Sequence, residues 1–134
     1  MTAAKETFVI LADTLFRFDK AGRADILPGG QEKLKAVATR LKSYKAIDTI
    51  TITGHTDRLG AEAYNDKLSQ ARAETVRSWF ESEGIKAVAL AARGAGEREP
   101  VTGSTCGAKL ARPAMIDCLQ PDRRVTIEVT GLTR

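Results

Sequence analysis

The sequence is poor in the residue types from which most catalytic and metal sites are built. It has one histidine and two cysteines, and His55, Cys106 and Cys118 lack the close paired spacing of structural zinc sites. No nucleophile lies in a recognisable elbow or triad. His55 lies close to Asp57, which invites a catalytic or metal interpretation, but nothing else in the sequence supports one. The sequence therefore predicts no catalytic residue, no metal and no cofactor.

Aromatic residues and long apolar runs are also scarce. Aromatic side chains make up 5% of the chain, and Lys and Arg are scattered among Asp and Glu without a basic stripe. Both features argue against a nucleic-acid-binding surface. The formal charge of +4 is therefore interpreted mainly as a solubility feature. The longest apolar runs are a few residues long, so no segment is a candidate membrane-spanning helix.

What remains is the composition of an ordinary globular domain, with 43% hydrophobic and 28% charged residues. A chain of 134 residues is long enough for one core and too short for two, so we predict a single domain over residues 1–134. No charged-then-apolar leader is visible, and residues 1–4 do not resemble a natural start. We therefore expect the chain to be a piece of a longer protein.

The spacing of apolar residues predicts the secondary structure. Alternation with period two indicates strands, and apolar positions at i, i+3, i+4 and i+7 indicate helices. The predicted elements are strands at about 6–12, 48–54, 88–93 and 125–129, a helix at about 28–43, and a second helix capped by Ser69 and ended by Gly84. A loop-rich segment, with a short helix near 107–117 as one option, fills about 97–121. Trp79 and Phe80 are expected in the core.

This order, β-α-β-α-β-loop-β, predicts an α+β fold. The economical arrangement is a four-stranded mixed sheet with helices packed on one face. Each strand has one apolar and one polar side, which favours this arrangement over a sheet covered on both faces.

The two cysteines lie in one irregular segment rich in Gly, Thr, Ala and Pro, with eleven residues between them. Such a segment has little core to hold it, so a disulfide between Cys106 and Cys118 would supply the missing constraint. Two buried thiols are the alternative. The shared position favours the disulfide, and with it an oxidising compartment.

The most informative polar residues surround the end of the second strand. Asp57 follows that β-rich run, and Arg72 comes fifteen residues later on a helix. Opposite charges at one pocket would suit a ligand that carries both an ammonium and a carboxylate. Simpler interpretations are a turn-capping role for Asp57, a solvated role for Arg72, or a direct pair between the two. Gly60 is expected to let a ligand approach the backbone closely.

Residues 56–76 carry the spaced pattern Thr56-Asp57-x-x-Gly60-x-x-x-x-Asn65-x-x-Leu68-Ser69-x-x-Arg72-Ala73-x-x-Val76. This pattern closely resembles the signature of OmpA-like peptidoglycan-binding domains. Residues 15–21, 94–100 and 122–129 resemble that family's opening segment, its loop after the third strand and its closing strand. The resemblance covers about residues 7–131, and residues 100–119 resemble the cysteine-bearing branch, in which the cysteines form a periplasmic disulfide.

The resemblance implies specific site residues. In this family the peptide stem of peptidoglycan is bound non-covalently through diaminopimelate. The binding aspartate and arginine of the family correspond to Asp57 and Arg72, and Thr56 and Asn65 correspond to polar positions of the same pocket. One arginine of the last strand also borders the pocket, and Arg123 and Arg124 are both candidates.

The resemblance also implies a setting: a periplasmic domain that anchors a Gram-negative outer-membrane protein to the cell wall. The expected partner is peptidoglycan, and a parent outer-membrane β-barrel is expected in the same chain. The alternatives are a peptidoglycan-processing enzyme and, less favoured, a small nucleic-acid-binding α+β domain.

Overall fold

In the computed structural model, which describes residues 2–134, four strands form one open sheet in the order β1-β4-β2-β3. β4 pairs antiparallel with both β1 and β2, whereas β2 and β3 are parallel. The predicted α+β fold with a mixed four-stranded sheet is confirmed. The strands are β1 (Thr2–Leu11), β2 (Tyr44–His55), β3 (Ala89–Gly96) and β4 (Arg124–Thr133), and the helices are α1 (Ala12–Leu15), α2 (Pro28–Lys42), α3 (Glu62–Ser82) and α4 (Arg112–Cys118).

The main core lies between the sheet and the helices α2 and α3. Alternate residues of β2 and β4 face it, because side chains along a strand point to opposite faces. Trp79 and Phe80 of α3 are buried in this core, as predicted. The fully buried side chains of the core include Leu34, Leu41, Ile50, Ile52, Val76, Val125, Ile127 and Val129.

Some predicted element boundaries are wrong, each for a physical reason. β1 begins at Thr2, because it pairs with β4 along its whole length, from the pair Thr2–Thr133 onward. α3 begins at Glu62, seven residues before the predicted cap Ser69. Its N-terminus has no side-chain cap hydrogen bond, so the sequence contains no start signal. α1 is only four residues long, too short to produce a periodic pattern.

The end of α3 follows the glycine signal in the sequence. Gly84 has φ +78°, a conformation that favours glycine. Its N–H donates to Glu81 O and the N–H of Ile85 donates to Phe80 O, both at 3.1 Å. This pair of bonds is a Schellman motif, which satisfies carbonyls that the helix end leaves open. The buried Ile85 then anchors the chain against the core.

Two glycines let α3 approach the sheet closely. A Cβ on Gly54 of β2 would overlap the carbonyl oxygen of Ser69, and one on Gly94 of β3 would lie 2.5 Å from the backbone nitrogen of Gln70. The close approach allows polar ties between helix and strand. The Gly96 N–H donates to Ser69 Oγ at 3.0 Å, and the Gly94 N–H donates to Gln70 Oε1 at 2.8 Å. Ser69 is therefore a helix-to-strand tie and not the predicted cap.

We predict that Gly54→Ala destabilises the protein by at least about 2 kcal/mol, because the new methyl group meets rigid helix backbone. Urea denaturation measures this change. Gly107→Ala is the matched control, since a Cβ at Gly107 meets nothing within 4 Å, and we expect it to be near neutral. Equal stability of the two variants would contradict the close packing of α3 on β2.

Candidate ligand-binding site

A cavity of about 670 Å³ lies where the turn after β2, the first half of α3, the segment after α1 and helix α4 meet. That size falls within the range of roughly 300–1,000 Å³ typical of small-molecule sites. Its lining combines aromatic and aliphatic side chains with charges of both signs. The charged lining residues are Asp13, Arg17, Asp19, Asp57, Arg72, Arg112 and Arg123.

Asp57 lies in the turn that follows β2, and both of its carboxylate oxygens are engaged. The N–H of Leu59 donates to Asp57 Oδ1 at 3.0 Å, which is the turn-capping role expected for an aspartate at this position. Arg123 Nη1 donates to Asp57 Oδ2 at 2.8 Å. The side chain is 12% exposed, so it still faces the cavity. Asp57 thus combines a structural bond with a charge presented to the pocket.

Arg123, the residue before β4, binds three other segments of the chain. Besides Asp57, it binds Asp13 of α1 through two nitrogens, at 3.1 and 2.9 Å, and donates to the carbonyl of Ile116 in α4 at 2.9 Å. Burial acts to lower the pKa of Arg123, but the hydrogen bonds and charges of Asp13 and Asp57 outweigh it and raise the pKa. Arg123 therefore stays charged and fixes the acidic side of the cavity.

Arg72 lies on α3 and is buried, with 7% exposure. Its Nε donates to the carbonyl of Lys20 at 2.8 Å, and its guanidinium lies 5.3 Å from the centre of the Phe16 ring. Among residues 2–134 its two terminal nitrogens have no hydrogen-bond partner within standard limits, and the side chain lines the cavity. Burial lowers the pKa of Arg72, while Asp13 and Asp19 oppose that shift. Asp57 pairs with Arg123 and not with Arg72, so the direct pair considered from the sequence does not form.

The other signature residues shape the turn. Asn65 of α3 donates to the carbonyls of Asp57 and Leu59, at 3.3 and 3.1 Å. Thr56 lines the cavity; its N–H donates to Gly96 O at 2.8 Å, and its hydroxyl donates to the carbonyl of Asp57 at 3.0 Å. Gly60 has φ +87°, and a Cβ there would meet nothing within 4 Å. Gly60 also lines the cavity, and its backbone conformation is a second reason for glycine at this position; the close approach of a ligand stays a prediction.

Arg124 lies apart from the cavity. It is buried, and its terminal nitrogens donate to the carbonyls of Asp122 and Glu99, at 3.2 and 3.0 Å. Arg123 lines the cavity and Arg124 does not, so of the two candidate arginines only Arg123 is positioned to contact a ligand.

His55 is also turned away from the cavity. It pairs with Arg124 in the sheet register, its Nε2 lies 3.3 Å from Thr126 Oγ1, and its Nδ1 is buried without a partner among the described residues. Burial, assisted by the neighbouring Arg124, lowers the pKa of His55 to about 4. A neutral imidazole enclosed in this way has no access to a ligand in the cavity.

The cysteine-bearing segment forms one wall of the cavity. Cys106 and Cys118 are joined in a disulfide, as predicted, and Cys106 packs with Met115 and Leu119 in a second small core. Leu59, from the turn after Asp57, packs against this cluster. Arg58 donates to the Cys106 carbonyl at 2.8 Å. The segment thereby brings Arg112 and Ile116 to the cavity.

Several lining residues carry no signal in the sequence. Asp13 reaches Arg123 across 110 positions, and only the pairing of β1 with β4 brings the two together. Phe18 lines the cavity although its side chain is 91% exposed. Asp122 lies outside the lining and also has no signal in the sequence; it is buried, accepts bonds from the N–H groups of Val101 and Thr102, and so holds the loop after β3.

A model of the OmpA family matches residues 17–113. Outer membrane protein A of Klebsiella aerogenes is 46% identical over 127 residues, which are 94% of this chain and 35% of that protein. The chain belongs to the OmpA family. Outer membrane protein A of Shimwellia blattae is 45% identical over 126 residues, 93% of this chain and 51% of that protein. The chain thus spans about a third to a half of the length of these OmpA-family relatives.

Solved structures agree with this membership. The cell wall anchor of the T6SS from Pseudomonas aeruginosa has a TM-score of 0.71 and 26% identity, covering 97% of this chain and 82% of that one. The peptidoglycan-associated lipoprotein from Burkholderia pseudomallei has a TM-score of 0.62 and 26% identity, with 87% of each chain covered. The periplasmic domain of Helicobacter pylori MotB, at 16% identity and a TM-score of 0.67 over 94% of this chain and 81% of that one, supports the fold alone.

The family membership supports the prediction of a binding module over that of an enzyme. The names of the relatives agree with the predicted periplasmic location in a Gram-negative outer-membrane protein. Within residues 2–134, no helix has both the length and the apolar character needed to cross a membrane.

The buried His55 leads to a prediction about stability and pH. The pKa of His55 in the native protein is about 4, below the ordinary value of 6.5. Between these two pH values the imidazole is protonated in the unfolded chain and neutral in the native protein. Stability should therefore be unaffected by His55 above about pH 6.5 and should fall by roughly 2–3 kcal/mol as the pH drops to 4.

Urea denaturation of the wild type and of His55→Gln between pH 7 and pH 4 measures this contribution. Carboxylates titrate in the same range, and Arg93, Glu99, Asp122 and Arg124 lie near the ring, so the relevant quantity is the difference between the two proteins. The variant should show a shallower loss of stability. Parallel pH profiles would contradict the burial of a neutral imidazole.

Proposed function

We propose that this chain binds peptidoglycan non-covalently through the diaminopimelate of the peptide stem and so anchors its parent protein to the cell wall. The observation that carries the proposal is the state of Arg72. Its terminal nitrogens lack a partner among residues 2–134, and they belong to a side chain that lines a cavity also lined by Asp57. A buried cation with an open fork is suited to a carboxylate.

The acidic side of the cavity would bind the ammonium group. Asp57 and Asp13 share the single positive charge of Arg123, so this cluster carries a net negative charge. A carboxylate oxygen can accept more than one hydrogen bond, which leaves Asp57 Oδ2 able to accept from an ammonium while it stays bonded to Arg123. The free end of diaminopimelate presents an ammonium and a carboxylate on one carbon, and Asp57 and Arg72 supply the two charges opposite to these groups.

The similarity to a cell wall anchor and to a peptidoglycan-associated lipoprotein supports the same proposal. The cavity lining mixes three aspartates with four arginines, and this is not the uniformly basic surface expected of a site for a polyanion such as RNA. The chain corresponds to about a third of its Klebsiella relative, so we further propose that the rest of the parent includes the outer-membrane β-barrel expected from the sequence.

The carboxylate half of the proposal is tested with two matched peptides. L-Ala-γ-D-Glu-diaminopimelate and L-Ala-γ-D-Glu-Lys both carry the ammonium, but only the first has the adjacent carboxylate. We expect the wild type to prefer the first by at least about tenfold in calorimetry, since a charge-assisted contact contributes about 1.5–3 kcal/mol. Arg72→Gln should remove the preference.

Arg77→Gln is the matched control, because Arg77 lies on the same helix and outside the cavity lining. Arg72→Lys keeps the charge without the fork and should recover only part of the preference. Thermal unfolding of each variant verifies that the fold is retained. A wild-type protein that binds the two peptides equally would refute the assignment of Arg72.

The ammonium half of the proposal is tested with the variant Asp57→Asn and with a peptide that ends in 2-aminopimelate in place of diaminopimelate. The 2-aminopimelate is linked through the carbon that bears its amino group, so its far end has a carboxylate but no ammonium. The wild type should bind the diaminopimelate peptide at least about tenfold better than this analogue. Asp57→Asn should lower affinity for the first peptide and leave the second nearly unchanged. Asp48→Asn, at the exposed opposite end of β2, serves as the control. Equal losses for both peptides would indicate a collapsed turn and not a lost ammonium contact.

A further inference from the structure

The disulfide-bearing segment places an additional cation beside the cavity. Arg112, the first residue of α4, is exposed and lines the cavity, and its guanidinium makes no hydrogen bond or ion pair with any residue of the described part of the chain. The proposed clamp for diaminopimelate does not use it. By contrast, Arg123 of the same lining is bound to two aspartates.

Four contacts hold α4 in position beside the cavity. The disulfide fixes its last residue, Cys118, to Cys106. Met115 lies in the small core that Leu59 covers, and Arg123 donates to the carbonyl of Ile116 at 2.9 Å. Arg58, from the turn that presents Asp57, donates to Met115 Sδ of α4 at 3.7 Å and to the carbonyl of Cys106 at 2.8 Å. The position of Arg112 relative to Asp57 is therefore determined by packing and bonds, although its own guanidinium is unpaired within residues 2–134.

The size and charge of the cavity indicate what Arg112 would meet. A volume of about 670 Å³ accommodates more than one amino acid. In a peptide stem, the residue before diaminopimelate is a D-glutamate joined through its side chain, so its α-carboxylate stays free. The end of the stem carries another carboxylate. Either group would lie close to a bound diaminopimelate.

We propose that Arg112 binds a second carboxylate of the peptide stem, so that the disulfide-bearing segment is a recognition element and not only a surface loop. This inference rests on the proposed function. It assigns the diaminopimelate end to Asp57 and Arg72, and the neighbouring carboxylate to Arg112. An open guanidinium at the rim contributes less than a buried one, because water competes for both partners.

A cycle of ligand and protein changes tests the inference. The ligands are L-Ala-γ-D-Glu-diaminopimelate, the same peptide with the glutamate α-carboxylate amidated, and a tetrapeptide stem ending in D-Ala as the acid or the amide. The proteins are the wild type, Arg112→Gln and Lys109→Gln, which removes the same charge from the same segment outside the cavity lining. Affinities are measured by calorimetry at low and physiological salt.

We expect one of the two amidations to weaken binding by the wild type and by Lys109→Gln roughly fivefold. Arg112→Gln should bind the acid peptides about fivefold more weakly and respond to neither amidation. The amidation that weakens the wild type identifies which carboxylate is bound. Arg17→Gln is included because Arg17 is the other exposed arginine of the lining.

The outcomes distinguish a failure of the proposed function from a failure of the inference about Arg112. A wild type that binds no diaminopimelate peptide overturns the proposed function, and the inference with it. A wild type that binds diaminopimelate but is indifferent to both amidations overturns the inference alone. Loss of the amidation effect in Arg17→Gln but not in Arg112→Gln also overturns it. If Lys109→Gln lost the amidation effect as fully as Arg112→Gln, the effect would be general charge attraction, and this result would contradict a specific contact with Arg112.

Discussion

The close packing of α3 on β2 and β3 is the constraint on which the site depends. Gly54 and Gly94 remove the side chains that would separate helix and sheet, and Ser69 and Gln70 use the resulting closeness to bond the backbone of β3. β3 is an edge strand, so these bonds also occupy donors that would otherwise be open. Because Asn65 and Arg72 lie within one or two turns of these ties, their positions follow from the packing of the helix.

A second constraint is electrostatic and belongs to Arg123. Its guanidinium forms hydrogen bonds with α1, with the turn after β2 and with α4, and so holds these three segments next to the start of β4. Two aspartates share this one cation, so the cluster keeps a net negative charge in a partly buried setting, where charge interactions are screened less than in open water. Arg72, which lines the same cavity, is desolvated, and among residues 2–134 its terminal nitrogens have no hydrogen-bond partner. The cavity lining therefore holds charges of both signs, which the proposed zwitterionic ligand requires.

The periodic parts of the sequence were the most predictable. The alternation of Ile50 and Ile52 and the helical spacing up to Gly84 correctly predicted β2 and the end of α3, because burial on one face imposes those periods. The start of α3 was missed, since no side chain caps it. For the site, the signature pointed to Asp57 and Arg72, and the structure brings both to one cavity. Asp13 could not be predicted, because its partner lies 110 residues away and no local pattern records that contact.

The loop-rich segment after β3 shows why local patterns fail where tertiary bonds decide. Its own core is small, so its position depends on a disulfide, on the buried carboxylate of Asp122 and on arginines contributed by other segments. Closing a loop of this length contributes up to roughly 3 kcal/mol in the chain-entropy model, which is comparable to the loss of one buried side chain from the main core. The segment is thus held by a few specific bonds, and two of them also involve the Asp57 turn or Arg123: Arg58 donates to the carbonyl of Cys106, and Arg123 donates to that of Ile116. Any change that frees α4 must therefore alter the wall of the cavity as well.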